Sequence, residues 1–90
     1  MDAQCEKFTI SGVVQGVGFR YYTSHEGTKL GLTGYAKNLK NGDVEVIVCG
    51  RSQQIAEMEK WLQVGPKTSL VSSVKSEPVP YVSFTDFEIS

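Results

Sequence analysis

The chain has 90 residues, of which 40% are hydrophobic and 21% charged, and its formal net charge is −1. These values fit a globular protein with one domain, residues 1–90. Basic and acidic residues are interspersed, so we expect neither a nucleic-acid partner nor electrostatic binding to a membrane. The N-terminal segment is too polar for a signal peptide, and no apolar run could span a bilayer. We therefore expect a cytoplasmic protein.

The first predicted strand leads into a glycine-rich loop. Residues 6–14 alternate between apolar and polar side chains, which is the pattern of a half-buried strand. Two glycines and Arg20 then lie at the start of a predicted helix over residues 19–29. Glycines allow successive backbone N–H groups to point into one concavity. Together with the positive end of a helix and a guanidinium, these groups suit an anion. This local chemistry fits a phosphate site and a tight structural turn equally well.

Apolar periodicity predicts four further strands and a second helix. The strands cover residues 33–39, 43–49, 69–77 and 84–89, and the helix covers residues 53–63. Val71 and Val74 lie three residues apart, which indicates a bulge in the fourth strand. Pro78 and Pro80 are expected to interrupt the pairing of that strand.

The order β-α-β-β-α-β with a last short strand predicts a ferredoxin-like α+β fold, in which two helices cover one face of an antiparallel sheet of four to five strands. The first and second strands are then parallel, with the third between them. Their carboxyl ends lie at one edge of the sheet, so Asn38 should lie beside the glycine loop. If Asn38 shares the helix-covered face with Val44, the hairpin loop should hold an odd number of residues, and residues 40–42 with a left-handed Gly42 satisfy this. Gly27 would allow the first helix to approach the sheet closely.

The same topology brings the two cysteines together. Cys5 begins the first strand and Cys49 ends the third, and antiparallel pairing of these strands places them opposite each other. This register also pairs Phe8 with Val46 in the core. A disulfide and two free thiols are both compatible with the pattern. No metal site is expected, because two cysteines and one histidine lack the number and spacing of zinc ligands.

Two longer stretches resemble the signatures of the acylphosphatase family. Residues 10–20 read Ile-Ser-Gly-Val-Val-Gln-Gly-Val-Gly-Phe-Arg, and residues 34–44 read Gly-Tyr-Ala-Lys-Asn-Leu-Lys-Asn-Gly-Asp-Val. Two signatures in the right order and spacing are specific, and the resemblance extends over nearly the whole chain. It implies a hydrolase that cleaves the carboxyl-phosphate anhydride of a small-molecule acyl phosphate, giving a carboxylate and inorganic phosphate. It implies no metal and no other cofactor.

The resemblance also implies roles for individual residues. Arg20 matches the family's phosphate-binding arginine, and Asn38 matches the asparagine that holds the attacking water. The loop whose backbone would bind phosphate consists of Gln15, Gly16, Val17, Gly18, Phe19 and Arg20.

Two other functions are compatible with the sequence. One is a binding module that holds a phosphoryl or carbamoyl-phosphate group without efficient turnover, and the other is a ferredoxin-like interaction domain. His25 is expected on the surface of the first helix rather than in catalysis. Tyr21, Tyr22 and Tyr35 are expected at the core and its rim rather than as a surface for stacked bases. A small closed domain predicts a monomer, and a pocket built around phosphate would accept many acyl groups.

Overall fold

The computed structural model describes residues 3–90 as a five-stranded sheet with two helices packed on one face. The strands are β1 Gln4–Val13, β2 Thr33–Asn38, β3 Val44–Gly50, β4 Leu70–Val79 and β5 Phe87–Ile89. The helices are α1 Phe19–Lys29 and α2 Ser52–Val64. Every element predicted from the sequence is present, and the largest difference is at β5, which begins at Phe87 rather than at residue 84 and has half the predicted length.

The strands are arranged in the order β4-β1-β3-β2-β5. The β1–β3, β1–β4 and β2–β3 pairs are antiparallel, which confirms the ferredoxin-like α+β fold. The expectation of a wholly antiparallel sheet is wrong at β5, which pairs parallel to β2. After β4 the chain reverses and crosses the sheet through residues 80–86, so β5 runs against β4 and therefore along β2.

The register of the three central strands agrees with the alternation in the sequence. Cys5 lies opposite Cys49, and Phe8 lies opposite Val46. Asn38 lies opposite Val44, so the hairpin loop between these paired residues spans residues 39–43, an odd number. Gly42 has a φ of 99°, as expected for the left-handed residue of this loop. The pairing thus places the apolar faces of β1, β2 and β3 on the same side of the sheet.

The edge strand β4 differs from its prediction at one end. Pro78 lies within β4 and is paired with Glu6, so proline does not end the strand there. Because β4 is at the edge of the sheet, one side of its backbone needs no partner, and proline is tolerated. The predicted bulge is confirmed. The register shifts between Ser11 and Gly12, and both Val71 and Val74 pack against the core.

The core lies between the two helices and the inner face of the sheet. Its buried side chains are Phe8, Ile10, Val14, Phe19, Leu32, Ala36, Val44, Val46, Val48, Ile55, Met58, Leu62 and Phe87. A Cβ atom on Gly27 would lie 2.4 Å from the ring of Phe87. The glycine in α1 therefore lets the helix approach β5, as the sequence predicted, and the ring of Phe87 fills the space.

Candidate active site

The loop between β1 and α1 forms one wall of a small cavity. Gly16 and Gly18 have φ angles of 75° and 78°, a region in which other side chains are strained. Gly18 is the N-cap of α1 and makes no side-chain cap, so the first-turn N–H groups of the helix have no such partner. The cavity has a volume of about 130 Å³ and is lined by Val14, Gly16, Gly18, Phe19, Arg20, Tyr21 and Ile89. Four of the six residues of the predicted phosphate loop thus contribute to one concavity.

Arg20 lies in the first turn of α1 and is half-buried. The Nη1 atom of its guanidinium donates a hydrogen bond of 2.5 Å to the backbone oxygen of Ser90. Ser90 is itself held in place, because its N–H donates to the carbonyl oxygen of Ala36 in β2. A guanidinium has five N–H donors in a fixed fork. The contact with Ser90 therefore orients Arg20 along the cavity while leaving donors for an anion.

Gln15 ties the loop to the β2–β3 hairpin. Its Nε2 donates two hydrogen bonds of 2.8 Å, one to the carbonyl oxygen of Leu39 and one to that of Asp43. Leu39 directly follows Asn38, so this side chain fixes the distance between the two halves of the predicted site. The side-chain contact was not predicted from the sequence, which assigned Gln15 to phosphate through its backbone.

The loop is also held from its other side. The hydroxyl of Thr68 donates a hydrogen bond of 2.7 Å to the carbonyl oxygen of Val17. Val17 itself packs against the core. Neither Gln15 nor Val17 lines the cavity, and both fix the loop whose other residues do. The loop is thus anchored to two separate segments, which favours a preorganised backbone.

Replacing Gln15 with methionine tests this anchoring, because methionine has a similar length and no donor. We expect the variant to lose about 1–3 kcal/mol in its free energy of unfolding and roughly tenfold in kcat/KM for an acyl phosphate. Urea unfolding and hydrolysis of benzoyl phosphate measure the two effects. Gln63→Met, at an exposed position of α2, is the matched control and should change neither. Wild-type activity in Gln15→Met would contradict the positioning role.

Asn38 is the last residue of β2 and is half-buried. Its side-chain oxygen, Oδ1, is buried and accepts no hydrogen bond from any residue within 3–90. An unpaired buried acceptor costs about 1–3 kcal/mol unless something outside the protein satisfies it. This amide is therefore an acceptor without a structural partner, at the sheet edge to which Gln15 ties the glycine loop.

Other candidates from the sequence lie elsewhere. His25 is exposed on α1, as expected, and lines a separate groove beside Trp61 rather than the glycine-loop cavity. Tyr35 donates a hydrogen bond of 2.6 Å to Oε2 of Glu45 on the sheet face opposite the helices. Burial first, and then the hydrogen bond and the charge of Glu45, raise the pKa of Tyr35 to about 12. Tyr35 is therefore a protonated donor at neutral pH.

The structure brings the two cysteines to bonding distance. Cys5 and Cys49 form a disulfide between β1 and β3. They lie with Ile47 in a small cluster on the face of the sheet that the helices do not cover. Within residues 3–90, no group of three or more histidine, cysteine or acidic residues is placed to hold a metal ion. Neither α1 nor α2, the helices of the described residues, could span a lipid bilayer.

Comparisons with known proteins agree with the geometry. The family model for acylphosphatase matches residues 6–89. An acylphosphatase of Vibrio parahaemolyticus is 58% identical over 89 residues, which cover 99% of each chain. The structure of an acylphosphatase from Coxiella burnetii superposes with a TM-score of 0.94 at 38% identity, covering 99% of this chain and 94% of that one. An acylphosphatase from Bacillus subtilis gives a TM-score of 0.91 at 28% identity, covering 96% and 97%. The chain therefore belongs to the acylphosphatase family.

Proposed function

We propose that Arg20 and the loop of residues 15–20 bind the phosphoryl group of an acyl phosphate, and that Asn38 positions the water that attacks it. This assigns residues to the hydrolysis that the chain catalyses as a member of the acylphosphatase family. The products are a carboxylate and inorganic phosphate. The proposal rests on the cavity at the glycine loop and on the unpaired oxygen of Asn38.

The chemistry of the leaving group explains why so few residues are needed. A carboxylic acid has a pKa of about 4, so the leaving carboxylate departs as an anion and needs no general acid. Among residues 3–90, the side chains that line the cavity include no aspartate, glutamate or histidine. The phosphoryl group carries close to two negative charges, which Arg20 and the first-turn N–H groups of α1 offset. They hold its equatorial oxygens as charge shifts in a loose transition state.

The observation that carries the proposal is the environment of Asn38. Its Oδ1 is a buried acceptor without a partner among residues 3–90. A water molecule bound to substrate phosphate would donate to this oxygen and so be held in line with the departing carboxylate. The bond from phosphorus to the water oxygen forms as the bond from phosphorus to the acyl oxygen breaks. The proton of the water passes to the phosphate.

Asn38→Ala should separate activity from stability. We expect kcat for benzoyl phosphate to fall about 100-fold with little change in KM, because the substituted residue positions only the water. The free energy of unfolding should not decrease, since the variant loses an unpaired buried acceptor. The rate of phosphate release at a series of benzoyl phosphate concentrations gives kcat and KM, and urea unfolding gives the free energy of unfolding.

Asn41 provides the matched control for this experiment. Its side chain lies in the hairpin, where Nδ2 donates to Asp43 at 3.2 Å and Oδ1 accepts from the N–H of Asp43 at 3.0 Å. Asn41→Ala should therefore lose stability, about 1 kcal/mol, and keep kcat. If Asn38→Ala also retains its kcat, the assignment of the water to Asn38 fails. Absence of phosphate release by the wild type would favour a binding module instead.

We further propose that the chain acts as a monomer in the cytoplasm, on small molecules and without a nucleic-acid partner. The net charge of −1 and the interspersed charges support the last point. Sedimentation of the purified protein tests the oligomeric state.

A further inference from the structure

Two large apolar side chains are exposed beside the phosphate loop. Tyr21 is 61% exposed and Ile89 is 49% exposed. Single exposed apolar residues are common and need no explanation, but these two line the same cavity as Gly16, Gly18 and Arg20. They thus supply an apolar surface directly next to the groups that we assign to the phosphoryl group.

The positions of Tyr21 and Ile89 relative to Arg20 are fixed by the backbone. Tyr21 follows Arg20 in α1, and Ile89 precedes Ser90, whose backbone oxygen accepts the hydrogen bond from Arg20. Two residues from two different elements therefore line the cavity together with Arg20. A ligand held by Arg20 in this cavity would lie beside both of them.

Both side chains are carried on ordered elements. The ring of Tyr21 packs edge-on against the ring of Tyr22, with 5.3 Å between the ring centres and 79° between the planes. Ile89 belongs to β5 and pairs with Ala36 of β2. A ligand that contacts these side chains loses little entropy in ordering them, so the contact can contribute to binding.

We propose that Tyr21 and Ile89 form a subsite for the acyl group and select apolar acyl groups, aromatic ones above all, over short ones. The inference rests on the proposed function of the loop and of Arg20. In an acyl phosphate the acyl carbon is joined to phosphorus through one oxygen, so the acyl group must lie within a few ångströms of the bound phosphoryl group. The remaining lining residues are apolar or glycine, apart from Arg20 itself. An aromatic acyl group can pack against the ring of Tyr21 and the methyl groups of Ile89.

The test compares two substrates, benzoyl phosphate and acetyl phosphate. In Tyr21→Ala and Ile89→Ala we expect kcat/KM for benzoyl phosphate to fall about tenfold, while kcat/KM for acetyl phosphate stays within about twofold. Acetyl phosphate has one methyl group to offer, so it gains little from the subsite. Tyr21→Phe keeps the ring and should keep the preference of the wild type. Inhibition by inorganic phosphate should be unchanged in all these variants, because phosphate lacks an acyl group.

Matched controls exist elsewhere on the surface. Tyr81 is 55% exposed and Leu70 is 71% exposed, and neither lines the cavity. Tyr81→Ala and Leu70→Ala should leave the ratio of the two kcat/KM values at its wild-type level. Equal losses for both substrates in Tyr21→Ala and Ile89→Ala, or no loss for either, would overturn the subsite.

The failure of the subsite is distinguishable from the failure of the proposed function. If Arg20→Ala abolishes inhibition by phosphate while the substrate ratio is unchanged in Tyr21→Ala and Ile89→Ala, the subsite alone is wrong. If Arg20→Ala retains activity and inhibition by phosphate, the phosphate-binding role of Arg20 is contradicted, and the acyl subsite that rests on it is contradicted as well.

Discussion

Arg20→Ala is expected to lower kcat/KM for benzoyl phosphate about 1,000-fold, with kcat and KM both affected. Arg20 lines the cavity at the glycine loop, and its guanidinium is oriented by the backbone oxygen of Ser90. In the proposed site, Arg20 offsets charge that is present on the bound substrate and that shifts in the transition state, so its loss should weaken binding and turnover together. Steady-state kinetics with benzoyl phosphate, together with inhibition by inorganic phosphate, measure both effects.

Two further variants show whether the loss of kcat/KM in Arg20→Ala comes from the charge of the guanidinium or from its geometry. Arg20→Lys keeps the positive charge and loses the planar fork, so we expect a value of kcat/KM between those of wild type and Arg20→Ala. Lys60→Ala makes the same change in net charge at an exposed position of α2, and its activity should equal that of the wild type. An Arg20→Ala enzyme within about threefold of the wild type would contradict the role of Arg20.

The register of the sheet could be predicted from the sequence for a physical reason. Side chains alternate along a strand, so a slip by one residue would turn Phe8 and Ile10 away from the helices. The same alternation placed Cys5 opposite Cys49, and the hairpin residues placed Asn38 opposite Val44. The direction of β5 could not be predicted in this way. It depends on the path of residues 80–86 across the sheet, which leaves no periodic pattern.

The candidate site was predictable in its composition rather than in its support. The glycines and Arg20 are residue types that suit an anion, which is why the sequence could indicate them as candidates, and the topology places Asn38 at the same end of the sheet. The hydrogen bonds of Gln15 to the hairpin depend on the conformation of a long, flexible side chain. Such a contact has no signal in one sequence beyond a polar residue before a glycine. Tyr21 was likewise assigned to the core or its rim, and it lies at the cavity.

Reduction of the disulfide is expected to have the largest effect on stability. Cys5 and Cys49 are 44 residues apart in the sequence, and in the chain-entropy model a cross-link of this span stabilises the folded state by up to about 4 kcal/mol. Both are almost fully buried, at 2% and 3% exposure, beneath the segment of residues 80–86. Urea unfolding with and without a reductant measures the difference. A count of two free thiols in denatured, unreduced protein would contradict the bond.

The double variant Cys5→Ala/Cys49→Ala separates the cross-link from other effects of the reductant. Its free energy of unfolding should fall by an amount similar to the loss in the reduced wild type, and adding a reductant should not change it further. Its kcat should equal that of the wild type at temperatures where it is folded, because the disulfide and the helices lie on opposite faces of the sheet. On that same outer face, Tyr35 packs against Phe84 with ring centres 5.8 Å apart and donates to Glu45. These two contacts involve neither sulfur atom, so we expect the reduced protein to keep its fold and its loss of stability to come from the constraint that the bond places on the unfolded chain.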